Sequence, residues 1–209
     1  MAKIGPFEKY HQKYENWFTH NRFAYESEVR AILNFIQPGE NGIEIGIGSG
    51  LFAVPLGIKT GVDPSAEMRK IAKKRGLTVY DAVAEKLPFD SQKFDFALMV
   101  TTICFLDDIL KSFEEAKRII KDGGKFITAF VDRESPLGQE YLERKHENVF
   151  YRDAHFYSCD EVINILRQTG FQVDSVIQTI FGKLSEINKI QEYQNGHGKG
   201  GFVVIQAVK

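Results

Sequence analysis

The chain of 209 residues carries 27 Lys and Arg against 28 Asp and Glu, a formal net charge of −1, and 43% of its residues are hydrophobic. That balance supplies no basic face for neutralising nucleic-acid phosphates and no run of about 20 apolar residues to span a bilayer. Cys104 and Cys159 are its two cysteines, too few for a disulfide framework, and the N-terminal stretch lacks the apolar core of a secretory signal. A single domain, 1–209, in a reducing cytoplasmic setting is the expectation.

In chain order, Tyr10, Tyr14, Trp17 and Phe18 fall at helical spacing within residues 7–20. A second helix is predicted over 24–36, with Val29, Ile32, Leu33 and Ile36 on its apolar stripe and Pro38-Gly39 as its stop. Strands are predicted at 42–46, 58–62, 77–81, 94–100 and 124–131, with helices at 51–56, 65–75 and 108–121 between them. Short apolar strands alternating with helices imply βαβ units and a parallel sheet covered on both faces. Residues 135–157, polar with scattered aromatics, interrupt that alternation. Ser158 and Glu161 have capping-box spacing and open a helix over 159–169 that Gly170 closes. Strand-like segments 171–181 and 202–208, with a loop-like 182–200 between, predict an antiparallel pair ending the sheet.

The segment GIEIGIGSG, residues 42–50, runs an apolar strand into Gly46, Gly48 and Gly50. Glycines there permit positive φ and close approach of a ligand to the backbone. Alone they fit an ordinary strand-to-helix turn or a dinucleotide site equally. Glu44 discriminates: a carboxylate at the strand's end opposes a pyrophosphate and suits a cation, and the GxGxG spacing departs from the dinucleotide GxGxxG. Asp63 follows Gly46 by 17 residues. It is placed either to accept hydrogen bonds from ribose hydroxyls or simply to serve as a turn aspartate before Pro64.

GIEIGIGSG, GVDPSAEM, AEKLPFDSQKFDFALMV and RIIKDGGKFI resemble, in order, the signature blocks of class I S-adenosylmethionine-dependent methyltransferases, closest to the small bacterial type 11 group. The resemblance covers 42–131, and HFYSCDEVINILRQTGF resembles that group's helix before its sixth strand. It implies a Rossmann-like, doubly wound, mostly parallel seven-stranded sheet with its last strand antiparallel. It implies S-adenosylmethionine as cofactor, held by Glu44 at the methionine portion, Gly46, Gly48 and Gly50 beneath it, and Asp63 at the ribose. Pro64, Met68, Ala84 and Glu85 would lie at the adenine, and Thr101 at the methyl-transfer site. Val83 stands where the family often has an aspartate that accepts from the adenine amino group, which leaves adenine to backbone, packing or Glu85. Similar proteins place an N-terminal aromatic helix over the cofactor; residues 1–37 would then form a helical lid using Tyr14 and Trp17, 42–131 the cofactor core, and 132–209 a substrate cap with the final strands. Packing of an amphipathic helix explains Tyr14 and Trp17 equally well.

The strand ending in MVTTICFLDD lacks the Asn/Asp-Pro-Pro-Tyr/Phe motif of enzymes that methylate exocyclic amines of bases. With the near-neutral charge, this points to a small-molecule methyl acceptor, not nucleic acid and not a membrane. A non-catalytic S-adenosylmethionine-binding module and a nucleotide-dependent oxidoreductase are the alternatives. No His/Cys cluster has metal-ligand spacing. Displacement at a sulfonium needs no acid, so no residue is required as a catalyst; His155, after the fifth strand, is the base candidate if the nucleophile needs one.

Overall fold

The computed structural model describes residues 3–209, so Met1 and Ala2 of the expected lid lie outside it. Parallel pairing joins β1 (Gly42–Ile45), β2 (Thr60–Val62), β3 (Thr78–Tyr80), β4 (Phe94–Val100) and β5 (Ile120–Val131). The order is β3-β2-β1-β4-β5-β8-β6-β7, where β6 is Gln172–Thr179, β7 Gln194–Asn195 and β8 Phe202–Val208. The last strand inserts antiparallel between β5 and β6. Strand order reverses between β1 and β4, and a crevice outside the carboxyl ends of strands is expected at that point. The eighth strand, β7, lies in the segment read as loop; two residues are too short to show alternation.

The helices are α1 (Gly5–Lys9), α2 (His11–His20), α3 (Arg22–Leu33), α4 (Ala66–Lys74), α5 (Ile109–Ile119), α6 (Pro136–Glu143) and α7 (Cys159–Gln168). Period-two alternation in β4 sends Phe96, Leu98 and Val100 to a core beneath α3 and α4. Ala97 and Met99 go to a second core beneath α5 and α7, which Phe94 joins because the register shifts between it and Phe96. The capping box forms as expected: Ser158 Oγ accepts from the Glu161 N–H, and the Glu161 carboxylate accepts from the Ser158 N–H.

Three local expectations change. Residues 51–56 form turns and no helix: isolated Val54-to-Gly50 and Leu56-to-Phe52 bonds flank Pro55, which has no N–H to donate, and Gly57 follows at φ +73°. The buried stripe of α3 is Ala24, Ser27, Glu28, Ala31 and Ile32, while Leu33 is 47% exposed; the large apolar residues misplaced the stripe because small residues let this helix approach the sheet. Its contacts with β6 and β8 make α3 a covering layer of the core. The interruption at 135–157 contains α6 and a short 3-10 turn, Lys145–Glu147.

Candidate cofactor and methyl-acceptor site

Gly46, directly after β1, has φ +74°, and a Cβ there would lie 2.4 Å from Thr102 Oγ1. Both backbone angle and space restrict this position to glycine. Gly48, at φ +54°, donates its N–H to Asp63 Oδ2 at 2.8 Å, and Ser65 donates its N–H to Oδ1 at 2.8 Å. Adjacent strand ends thus hold one carboxylate rigidly with two amides, leaving further lone pairs for a ligand. Burial pushes the Asp63 carboxyl up to about 6, although both amides and Arg69 favour its charged form.

A cavity of about 420 Å³ opens at this crevice. Tyr14, Trp17, Gly46, Gly48, Asp63, Pro64, Met68, Ala84, Glu85 and Thr101, separate in sequence, all meet its wall. Thr101 has φ +48°, a strained conformation for a β-branched residue at the end of β4. Val83 lines the wall too, where the family often has an aspartate. Asp81 is paired with Arg69 at 2.9 and 2.8 Å, and Glu85 Oε1 accepts from the Asp107 and Asp108 N–H groups.

The first two helices cover this half of the cavity. Glu8 Oε1 accepts from Ser65 Oγ at 2.7 Å and from the Glu67 N–H at 3.3 Å, pinning α1 to the start of α4. Glu15 pairs with Arg75, whose Nη1 also donates to the Ser49 carbonyl at 2.7 Å, so α2 is tied to the glycine turn. Phe18 is buried against Tyr25 and Phe52, which makes the end of α2 part of the core.

The family model described as "Methyltransferase domain" matches residues 43–128. A crystal structure from Thermotoga maritima, described as a SAM-dependent methyltransferase, possible histamine N-methyltransferase, is 48% identical; the match covers 97% of each chain with a TM-score of 0.93. The chain belongs to the S-adenosylmethionine-dependent methyltransferases. An uncharacterised Methanocaldococcus jannaschii protein is 46% identical over 206 residues, 99% of this chain and 100% of that one. An uncharacterised Mycobacterium tuberculosis protein is 36% identical over 201 residues, 93% of this chain and 70% of that protein.

The residues of this methyltransferase fit its cofactor, S-adenosylmethionine. The glycine turn leaves a cradle that side chains would fill, and Asp63 is oriented toward the cavity with lone pairs to spare. Glu44 is 1% exposed beneath the turn, with Oε2 unpartnered by any described residue. Burial, then the charge of Asp63, pushes the Glu44 carboxyl well above the usual range. Two buried acids so close are best relieved by a cationic ligand.

Three expected site residues of the methyltransferase do not reach the cavity wall. Glu44 lies on the opposite face of β1 from Ile43 and Ile45, buried under the turn and behind the cavity wall. Gly50, at φ +84°, faces away: a Cβ would lie 2.2 Å from Leu77 Cδ1, so this glycine serves packing on β3. His155 is exposed, its ring against Tyr157 at 4.4 Å and its N–H on the Cys104 carbonyl. His155 is thus not presented to the cavity by this structure. Burial pushes the Cys104 thiol up to about 12, and its Sγ donates to the Thr101 carbonyl at 3.4 Å.

The far half of the cavity draws on the segment expected as a substrate cap, but none of its lining residues is singled out by the sequence. Val131, Leu137, Tyr141, Phe150, Tyr151 and Leu184 line it, and Glu28 joins them from α3. Glu28 had one available signal: an acid at i+4 from Ala24 and i−4 from Ile32 sits on the buried face of its helix. Tyr141, Phe150 and Tyr151 had none, because nothing in their local pattern says which way an irregular segment folds. Among the described residues there is no cluster of acids, cysteines and histidines able to hold a metal, and no helix is long and apolar enough to cross a membrane.

Proposed function

We propose that this methyltransferase modifies a small molecule held in the far half of the cavity, and not nucleic acid. The observation that carries this reading is the cavity's shape and lining: about 420 Å³ beneath the N-terminal helices, walled on the acceptor side by Tyr141, Phe150, Tyr151 and Leu137. A nucleic-acid strand needs a basic groove. Here the cations Lys3, Lys13 and Arg144 share the wall with the acids Glu28, Asp63, Glu85, Asp107 and Glu140, and Arg144 is already paired with Glu147 at 3.0 Å. The description of the Thermotoga maritima relative as a possible histamine N-methyltransferase supports the same size of acceptor.

In this reading Asp63 binds the ribose hydroxyls, with Gly46 and Gly48 presenting bare backbone to the methionine portion. Pro64, Met68 and Ala84 pack on the adenine, whose edge is left to backbone groups. Glu44 supplies a buried negative field, and Thr101 sits where methyl donor and acceptor meet. The bound cofactor supplies an electrophilic methyl on a sulfonium, whose departure needs no proton. The chain's own contribution is alignment and exclusion of water. Residues 3–20 act as a cover: α1 and the first turn of α2 close over the cofactor, hinged where Phe18 is anchored. Formation of S-adenosylhomocysteine is the assay, run across a panel of metabolites, oligonucleotides and peptides. Turnover with metabolites alone is expected; turnover confined to oligonucleotides or peptides overturns the proposal.

A further inference from the structure

The acceptor half of the cavity contains one buried acid with nothing to balance it. Glu28 is 7% exposed, on the sheet-facing side of α3, and it forms part of the cavity wall. Among the described residues none donates a hydrogen bond to its carboxyl and none forms an ion pair with it. The surrounding groups are rings: the charge of Glu28 reaches Tyr14, Tyr25, Tyr141 and Tyr151. Glu140 adds a second acid at the rim. Three cationic side chains line the cavity, Lys3, Lys13 and Arg144; Arg144 is taken up by Glu147, and none of the three offsets the burial of the Glu28 carboxyl.

A lone buried carboxyl is expensive unless it is structural, paired or awaiting a partner. The first two do not apply, because no backbone amide or side chain uses it. Aromatic walls add a second, independent preference, since ring faces attract cations. We propose that Glu28 determines acceptor specificity by receiving the ammonium group of an amine-bearing substrate within this aromatic-walled half of the cavity. The inference rests on the small-molecule reading above and adds the chemical class of the acceptor and the residue that reads it.

Without a cation beside it, burial pushes the Glu28 carboxyl up to about 8, so near neutral pH it mostly holds a proton. An arriving ammonium converts it to the carboxylate, and that proton leaves to solvent. Amine binding should therefore release close to one proton, whereas binding of a neutral isostere should release none.

The test uses the full chain saturated with S-adenosylhomocysteine. Calorimetry at pH 7, in two buffers of different ionisation enthalpy, compares matched pairs: phenethylamine with 2-phenylethanol, cyclohexylamine with cyclohexanol, and butylamine with butanol. The wild type should favour amine over alcohol by about tenfold or more in at least one pair, with proton release. Glu28→Gln should abolish both the preference and the proton release while S-adenosylhomocysteine affinity stays within about twofold. The proton count on the wild type stands by itself should the variant not fold. Equal binding of amine and alcohol, binding of no amine in the set, or a preference that survives E28Q overturns the assignment. Turnover with neutral metabolites but no amines would overturn it while leaving the small-molecule reading intact; turnover with no metabolite would remove the reading on which it rests.

Discussion

The two halves of the cavity place a buried carboxyl in opposite circumstances. Asp63 is gripped by the Gly48 and Ser65 amides at 2.8 Å each, and these hold its pKa down against burial. Glu28, on the aromatic side, receives no such bonds, and burial alone sets its behaviour. One acid is preorganised by backbone for a fixed ligand that every turnover uses; the other depends on its ligand for compensation. Recognition of the cofactor is therefore built into strand ends and turns. In the proposed reading, recognition of the acceptor is assembled from side chains on α3, α6 and the loops after β5 and β6.

The comparison can be broken most forcefully at the cofactor end. Gly46→Ala forces a left-handed residue and a Cβ into Thr102. The combined strain and overpacking should cost about 2–4 kcal/mol, lower Tm by roughly 5–15 °C, and remove S-adenosylmethionine binding; an unchanged melting curve would show that the cradle is not tight.

Next is the pH dependence of the aromatic side. A carboxyl at about 8 in the folded chain and near its ordinary 4.5 when unfolded binds more protons in the native state. Stability must then fall as pH rises from about 4.5 to about 8. Glu28→Gln removes this contribution, so the difference in unfolding free energy between variant and wild type should shift in favour of the variant by about 4 kcal/mol across that window. Parallel pH–stability curves would mean that Glu28 is partnered.

Asp63→Asn keeps the shape but loses the charge-assisted bonds to the ribose. About 1.5–3 kcal/mol corresponds to roughly ten- to a hundredfold weaker cofactor binding, read by calorimetry. Unchanged affinity would leave Asp63 as the turn residue that its place before Pro64 also allows.

The smallest effect concerns the cover. Removing residues 1–10 takes away the Glu8 clamp and Phe7 but leaves Phe18 in the core. Cofactor binding should weaken by roughly threefold to tenfold with little change in Tm. Trp17 fluorescence should respond to S-adenosylhomocysteine in the full chain. A truncation carried through residue 22 would instead uncover Phe52 and destabilise the domain.

The same contrast explains what was legible beforehand. The cofactor half is local: a turn fixes Gly46 and Gly48, the next strand end presents Asp63, and regular spacing announces them. Even there, strand alternation moved Glu44 beneath the turn and packing claimed Gly50, distinctions that require knowing which face each strand turns to its neighbours. On the acceptor side, Glu28 meets Tyr141 and Leu184 across long stretches of chain, and no periodicity links them. The α3 stripe shows the same limit: Ala24, Ser27 and Ala31 carry little hydrophobic signal but face the sheet because they are small.

The rings at the mouth of the cavity have a thermodynamic consequence. Phe150, from the segment after α6, touches Phe7 at 5.4 Å and Tyr14 at 6.1 Å between centroids. The flap over the cofactor and the wall around the methyl acceptor thus share a seam, and ordering either one lowers the entropy lost in ordering the other. At about 0.5–1.5 kcal/mol for each ring pair, the two contacts would couple the two regions by at most roughly 1–3 kcal/mol. Linkage then fixes a symmetry: whatever factor S-adenosylhomocysteine adds to the affinity for an acceptor analogue, that analogue must add to the affinity for S-adenosylhomocysteine.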